Sequence, residues 1–110
     1  MSTAMSPKAS ALLAYLSAHQ GADKGVTCAR VAAWFGWSER DVRKFTSELR
    51  EQGHAVCGHP RSGYYIAETP AELEESCRFL RSRAMHSLTL EARLRRVSLP
   101  TLLGQLNLNT

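Results

Sequence analysis

Between residues 38 and 50 the chain places Ser38, Arg40, Arg43, Lys44, Ser47 and Arg50 within one helix-length of sequence. These side chains suit recognition of a polyanion rather than bond making. Guanidinium forks such as those of Arg40 and Arg43 bond guanine edges bidentately, while Lys44 and Arg50 can neutralise backbone phosphates. Ser38, beside the free N–H groups of a helix start, can hold a phosphate oxygen. Arg61, between Pro60 and Ser62, adds a cation that can follow a phosphate or enter a minor groove. Glu39, Asp41, Glu48 and Glu51 interleave with these cations, and the same mixture makes an ordinary solvated helix face. Fold position therefore has to decide between the two.

Other chemistries have weaker support. Trp34, Phe35, Trp37, Tyr64 and Tyr65 can be read as a base-stacking set, but helical phase and strand alternation direct Phe35 and at least one tyrosine inward, and core packing is the expectation. Cys28, Cys57 and Cys77 are odd in number and far apart, which suits reduced thiols used as small buried apolar residues. Cys57-Gly58-His59 brings a thiol near an imidazole without the paired ligand spacings of a structural zinc site, so no metal is expected. With no Gly-rich phosphate loop, carboxylate pair or nucleophile elbow, neither a catalytic role nor a cofactor is expected.

The elements that must position these residues follow from local signals. Ser6-Pro7 has the form of an N-cap followed by proline in the first helical turn, and Ala9, Leu12, Leu13 and Leu16 repeat at helical spacing, predicting a helix over about 7–20 with Gly21 as the stop. Val26 is expected to make one or two residues of strand. Thr27 should cap a short second helix that turns Val31, Ala32 and Phe35 inward and ends at Gly36. Ser38-Glu39-Arg40-Asp41 resembles a capping box, so a third helix should begin immediately after Trp37, about three residues from the end of the second. On this helix Val42, Phe45 and Leu49 form one stripe and the cations another, with Gly53 as its C′ residue. The period then changes from 3.6 to about 2. His54-Ala55-Val56-Cys57 and Tyr64-Tyr65-Ile66-Ala67, around Gly58–Gly63, predict a β-hairpin.

Helix, short strand, helix, tight turn, helix and hairpin is the order of a winged helix-turn-helix, in which the third helix enters the major groove. The fold class expected is mainly α with a small β-hairpin wing, followed by a long C-terminal helix. Gly25-Val26-Thr27, the run Trp37-Ser38-Glu39-Arg40-Asp41-Val42-Arg43-Lys44, Glu48-Leu49-Arg50 and Gly63-Tyr64-Tyr65-Ile66-Ala67 together resemble small winged-helix proteins of bacteriophages and prophages. The resemblance covers roughly residues 25–85. It implies a double-stranded DNA-binding regulator or replication accessory factor, cytoplasmic in a bacterial host cell. The alternative is a protein-binding winged helix that docks on a host replication or transcription protein.

Thr69-Pro70-Ala71-Glu72 combines a capping box with proline at N1 and opens a long helix with Leu73, Cys77, Leu80, Ala84 and Leu88 on one stripe. That stripe is a candidate dimer or partner interface, and a homodimer is expected. Around residues 87–90 the stripe slips, so one helix to about 97 and two joined helices both remain open. Residues 78–96 hold six arginines against Glu91 alone, a greater basic excess than on the third helix. The expected organisation is a DNA-binding domain over 1–68, an amphipathic helix over 69–97 and a flexible tail over 98–110.

Length and charge bound these readings. The 110 residues allow one ordinary domain, and 44% apolar residues are enough for a folded core. A formal charge of +4 suits nucleic acid without requiring it. No apolar stretch is long enough for a bilayer, and the first six residues show no secretory signal, which together give the cytoplasmic expectation.

Overall fold

The computed structural model describes residues 5–108. Helix α1, Pro7–Leu16, starts where its cap predicts, with Ser6 Oγ accepting the Ala9 N–H at 3.2 Å. Ser6 also donates from its N–H and its hydroxyl to the Glu48 carboxylate, at 2.9 and 3.1 Å, which fastens the start of α1 to the third helix. The helix stops at Leu16 rather than near residue 20. Residues 19–21 are instead committed to the hairpin: the Ile66 N–H donates to the His19 carbonyl at 2.8 Å and the Gly21 N–H to the Ile66 carbonyl at 2.9 Å.

After a 3₁₀ turn at Ala22–Lys24, Val26 exchanges both backbone hydrogen bonds with Tyr64, at 2.9 and 2.7 Å, which is the short strand expected there. Helix α2, Cys28–Phe35, is capped by Thr27 Oγ1 and closed by Gly36 at a φ of 71°. Helix α3, Glu39–Glu51, follows after three residues, with Ser38 Oγ accepting the Asp41 N–H at 3.0 Å. Gly53, with a φ of 87°, releases the chain from α3 as the expected C′ residue.

Strands β1, Val56–His59, and β2, Gly63–Ile66, pair antiparallel from Val56 opposite Ile66 to His59 opposite Gly63. Gly58 and His59 therefore belong to the ladder, and the expected six-residue turn shrinks to Pro60–Ser62. Gly63 permits this with its φ of 75°, since a side chain there would be strained and its Cβ would overlap the Val26 carbonyl. A Cβ on Gly25 would likewise overlap the Ser62 carbonyl. These two glycines let the Val26 segment and the hairpin come together.

Helix α4, Pro70–Arg95, is a single helix of 26 residues, which settles the alternative left at residues 87–90. Thr69 Oγ1 accepts the Glu72 N–H at its start. The left-handed backbone of Arg96, φ 56°, follows its end, and α5, Leu99–Gln105, begins after Ser98. The flexible tail expected from residue 98 is thus helical through 105. Ser98 caps α5 by accepting the Thr101 N–H, Pro100 fits its first turn, and Leu102 is buried.

The chain divides into two compact units, Met1–Ser76 and Cys77–Thr110. In the first unit Ala9, Leu12, Leu16, Val26, Val31, Ala32, Val42, Phe45, Leu49 and Val56 form the core. Each of its large aliphatic side chains contributes about 1.5–3 kcal/mol by burial. The second unit buries Ala92 and Leu102. The architecture is mainly helical, with an antiparallel two-stranded hairpin and one long helix. No helix is long and apolar enough to cross a membrane among the described residues.

Candidate nucleic-acid interface

Helix α3 separates its residues as the helical period requires. Val42, Phe45, Thr46 and Leu49 are buried, while Arg40, Arg43, Lys44 and Ser47 are exposed. Ser38 is exposed, its hydroxyl oxygen engaged by the Asp41 N–H, so any phosphate at this end meets the remaining donors of the first turn. Arg43 lies 3.6 Å from Glu39 one turn earlier, both side chains open to solvent, a pairing weak enough for a phosphate or base edge to displace. Lys44 Nζ stands 5.5 Å from the Phe45 ring centroid.

Arg50 does not join this surface. Its Nε–H donates to the Val56 carbonyl at 2.8 Å and its side chain is half-buried, so it ties α3 to β1. Helical phase alone places it with the cations, but the carbonyl that captures it comes from beyond the helix. Glu48 is likewise taken inward, by Ser6. The exposed cations Arg40, Arg43 and Lys44 remain beside Glu39 and the half-buried Asp41.

At the hairpin tip Arg61 is exposed, and its backbone N–H donates to His59 Nδ1 at 3.0 Å, which shapes the turn around it. The aromatic residues divide in a way that core packing alone does not describe. Tyr65 is buried, and Phe35, Trp37 and Tyr64 are half-buried, with Phe35 stacked on Trp37 at 4.2 Å. Trp34 is 71% exposed.

The cysteines also divide. Cys57 is buried, Cys28 half-buried and Cys77 exposed, so only Cys57 fits the expectation of a buried apolar residue. Burial pushes the Cys57 thiol above its usual pKa and does the same for Cys28, keeping both protonated and poorly nucleophilic at neutral pH. Burial also raises the pKa of Tyr64 and of Tyr65. Among the described residues no group of three His, Cys, Asp or Glu side chains is arranged to hold a metal ion.

The stripe proposed for an interface is open along most of its length. Leu73, in the first unit, is exposed; in the second unit Cys77, Leu80 and Ala84 are exposed and Leu88 is half-buried. Leu90 and Leu94 are further exposed apolar residues that the stripe omitted. Glu91 accepts from Arg95 at 2.8 Å.

Glu72 was expected only as part of a capping box, yet it joins three segments. Its carboxylate accepts the Ala22 N–H and the Glu68 N–H, each at 2.8 Å, and these bonds, Ala22 first, hold its pKa below the ordinary carboxylate value. Comparison with protein-family models, with characterised proteins and with solved structures yields no match.

Proposed function

We propose that residues 6–76 form a winged helix-turn-helix that binds double-stranded DNA, with α3 as recognition helix and the β1–β2 hairpin as wing. The observation that carries this reading is the division of α3, whose apolar side is buried in the core while Arg40, Arg43, Lys44 and Ser47 face solvent behind a Ser38-capped end. The element order, the three-residue connection between α2 and α3, and the Val26–Tyr64 bridge beside the hairpin support it. Arg40 and Arg43 are assigned to base edges, Lys44 and Ser47 to phosphates, and Arg61 to the backbone or minor groove beside the wing. Arg50 positions the wing instead of touching DNA. The resemblance to phage and prophage proteins supports a regulatory or replication-accessory role.

The test is duplex binding as a function of salt. Counterion release predicts a steep fall of affinity with ionic strength, and Arg43→Ala should weaken binding. Wild-type protein that ignores duplex DNA would leave the docking alternative, in which this surface meets a host replication or transcription protein.

A second reading concerns assembly. Among its described residues the second unit buries only Ala92 and Leu102 of its hydrophobic side chains, while Leu80, Leu90 and Leu94 are exposed, Leu94 at 85%. A two-helix segment with so little core gains most of its apolar burial from a partner surface. A homodimer through this unit meets that need, and it gives a DNA-binding domain the two copies that paired half-sites require.

A further inference from the structure

The first unit has an open cleft of about 300 Å³ lined by Tyr15, Ala18, His19, Lys24, Gly25, Val26 and Arg30, none of them a residue of α3. Its construction is specific. His19 Nδ1 is 2.7 Å from the Lys24 carbonyl, and the Tyr15 ring lies 5.1 Å from the His19 ring, so the end of α1 and the 3₁₀ turn are held together as one wall. Tyr15 is also 5.5 Å from Trp34, whose indole is 71% exposed, an unusual position for the largest apolar side chain. Arg30 precedes Trp34 by four residues on α2, so the guanidinium and the indole share one face of the helix. Lys24 and Arg30 are both exposed, and among the described residues no carboxylate lines the cleft.

Two cations lining a cleft whose Tyr15 wall touches an open indole fit a ligand that combines a flat π face with an anion. We propose that this cleft binds one unpaired nucleotide of a single-stranded nucleic acid, with the base on Trp34 and its phosphate held by Lys24 and Arg30. A paired base has both faces covered by its stacked neighbours and cannot use the indole, so the ligand is single-stranded. An acidic peptide would satisfy the cations but leave the indole unused. This site goes beyond the duplex reading and rests on different residues, so either can fail alone.

The test is fluorescence anisotropy of 3′-fluorescein-labelled hexathymidylate at low salt, with thermal unfolding of each variant as the folding control. Wild type is expected to bind saturably, and Trp34→Ala and Arg30→Ala each to weaken binding about tenfold or more, the loss typical of removing one base stack or a close phosphate contact. Arg43→Ala is expected to lose clearly less than Trp34→Ala or Arg30→Ala. The proposal is overturned if wild type does not bind, or if Trp34→Ala binds equally well. It is also overturned if Arg43→Ala loses as much as Arg30→Ala, which would move the single strand to α3. Displacement of the probe by hexaglutamate as readily as by unlabelled hexathymidylate would assign the cleft to acidic protein segments and equally overturn it.

Discussion

The Nε–H of Arg50 donates to the carbonyl of Val56 at 2.8 Å, joining the last turn of α3 to the first residue of β1. One charged side chain thereby couples the orientation of the hairpin to that of the helix that presents Arg40, Arg43 and Lys44. Arg50→Ala leaves that carbonyl without its donor and should destabilise the first unit by about 1–3 kcal/mol. Urea denaturation measures this. Arg50→Lys restores the charge without the fixed fork and should recover only part of the loss.

Glu72 makes stability depend on pH. Its folded pKa is lowered by the N–H groups of Ala22 and Glu68, so its contribution is complete above the unfolded carboxylate value and is lost as pH falls through the lowered folded one. Thermal scans should show wild type losing Tm relative to Glu72→Gln as the pH is taken below about 4.3, the unperturbed value for glutamate. At pH 7 wild type should be the more stable, and the difference should shrink toward zero at acid pH. An unchanged difference between the two proteins across that range would contradict the role given to these hydrogen bonds.

Gly25 and Gly63 control how closely the Val26 strand approaches the hairpin. Gly63→Ala combines a left-handed φ with overlap on the Val26 carbonyl, and should cost about 3 kcal/mol or more, above the usual strain of a non-glycine residue in that region. Gly53→Ala, with nothing near its Cβ, bears the conformational strain alone and should cost less. Denaturation midpoints of the two variants provide the comparison.

These contacts mark which parts of the molecule were legible in the sequence. Ser6, Thr27, Ser38 and Thr69 start helices where expected because a cap is made within four residues of chain. The buried stripe Val42, Phe45, Leu49 was readable for the same reason, since helical period alone fixes it. Long-range pairing was not readable. The first strand lies two residues later and the second one residue earlier than expected, and α1 ends early because His19 and Gly21 bond to β2 across some forty residues. Helical phase alone groups Arg50 with the exposed cations, because its carbonyl partner Val56 lies beyond the helix. Helix α5 was missed because Ser98 and Thr101 cap it without the acidic residue that marks a capping box. The cleft beside Trp34 had one local signal, the four-residue spacing of Arg30 and Trp34, but Lys24 and His19 join it only through the fold.

Self-association is the expected use of the second unit. Sedimentation equilibrium should give a mass near twice the 12.2 kDa of one chain at tens of micromolar protein. Leu94→Glu and Leu80→Glu place charge on exposed apolar positions and should shift the mass toward one chain without lowering the content of helix. A wild-type monomer under these conditions would contradict the dimer.

The most direct test of the DNA-binding account is the salt dependence of duplex affinity for wild type, Arg43→Ala and Arg61→Ala, measured by anisotropy on selected or mixed duplexes. The account predicts a linear fall of log affinity with log salt for wild type, a loss of about 1–3 kcal/mol for Arg43→Ala where it reads a base, and a slope shallower by about one for Arg61→Ala. Duplex binding that is unchanged by Arg43→Ala would remove α3 as the recognition helix and contradict the account.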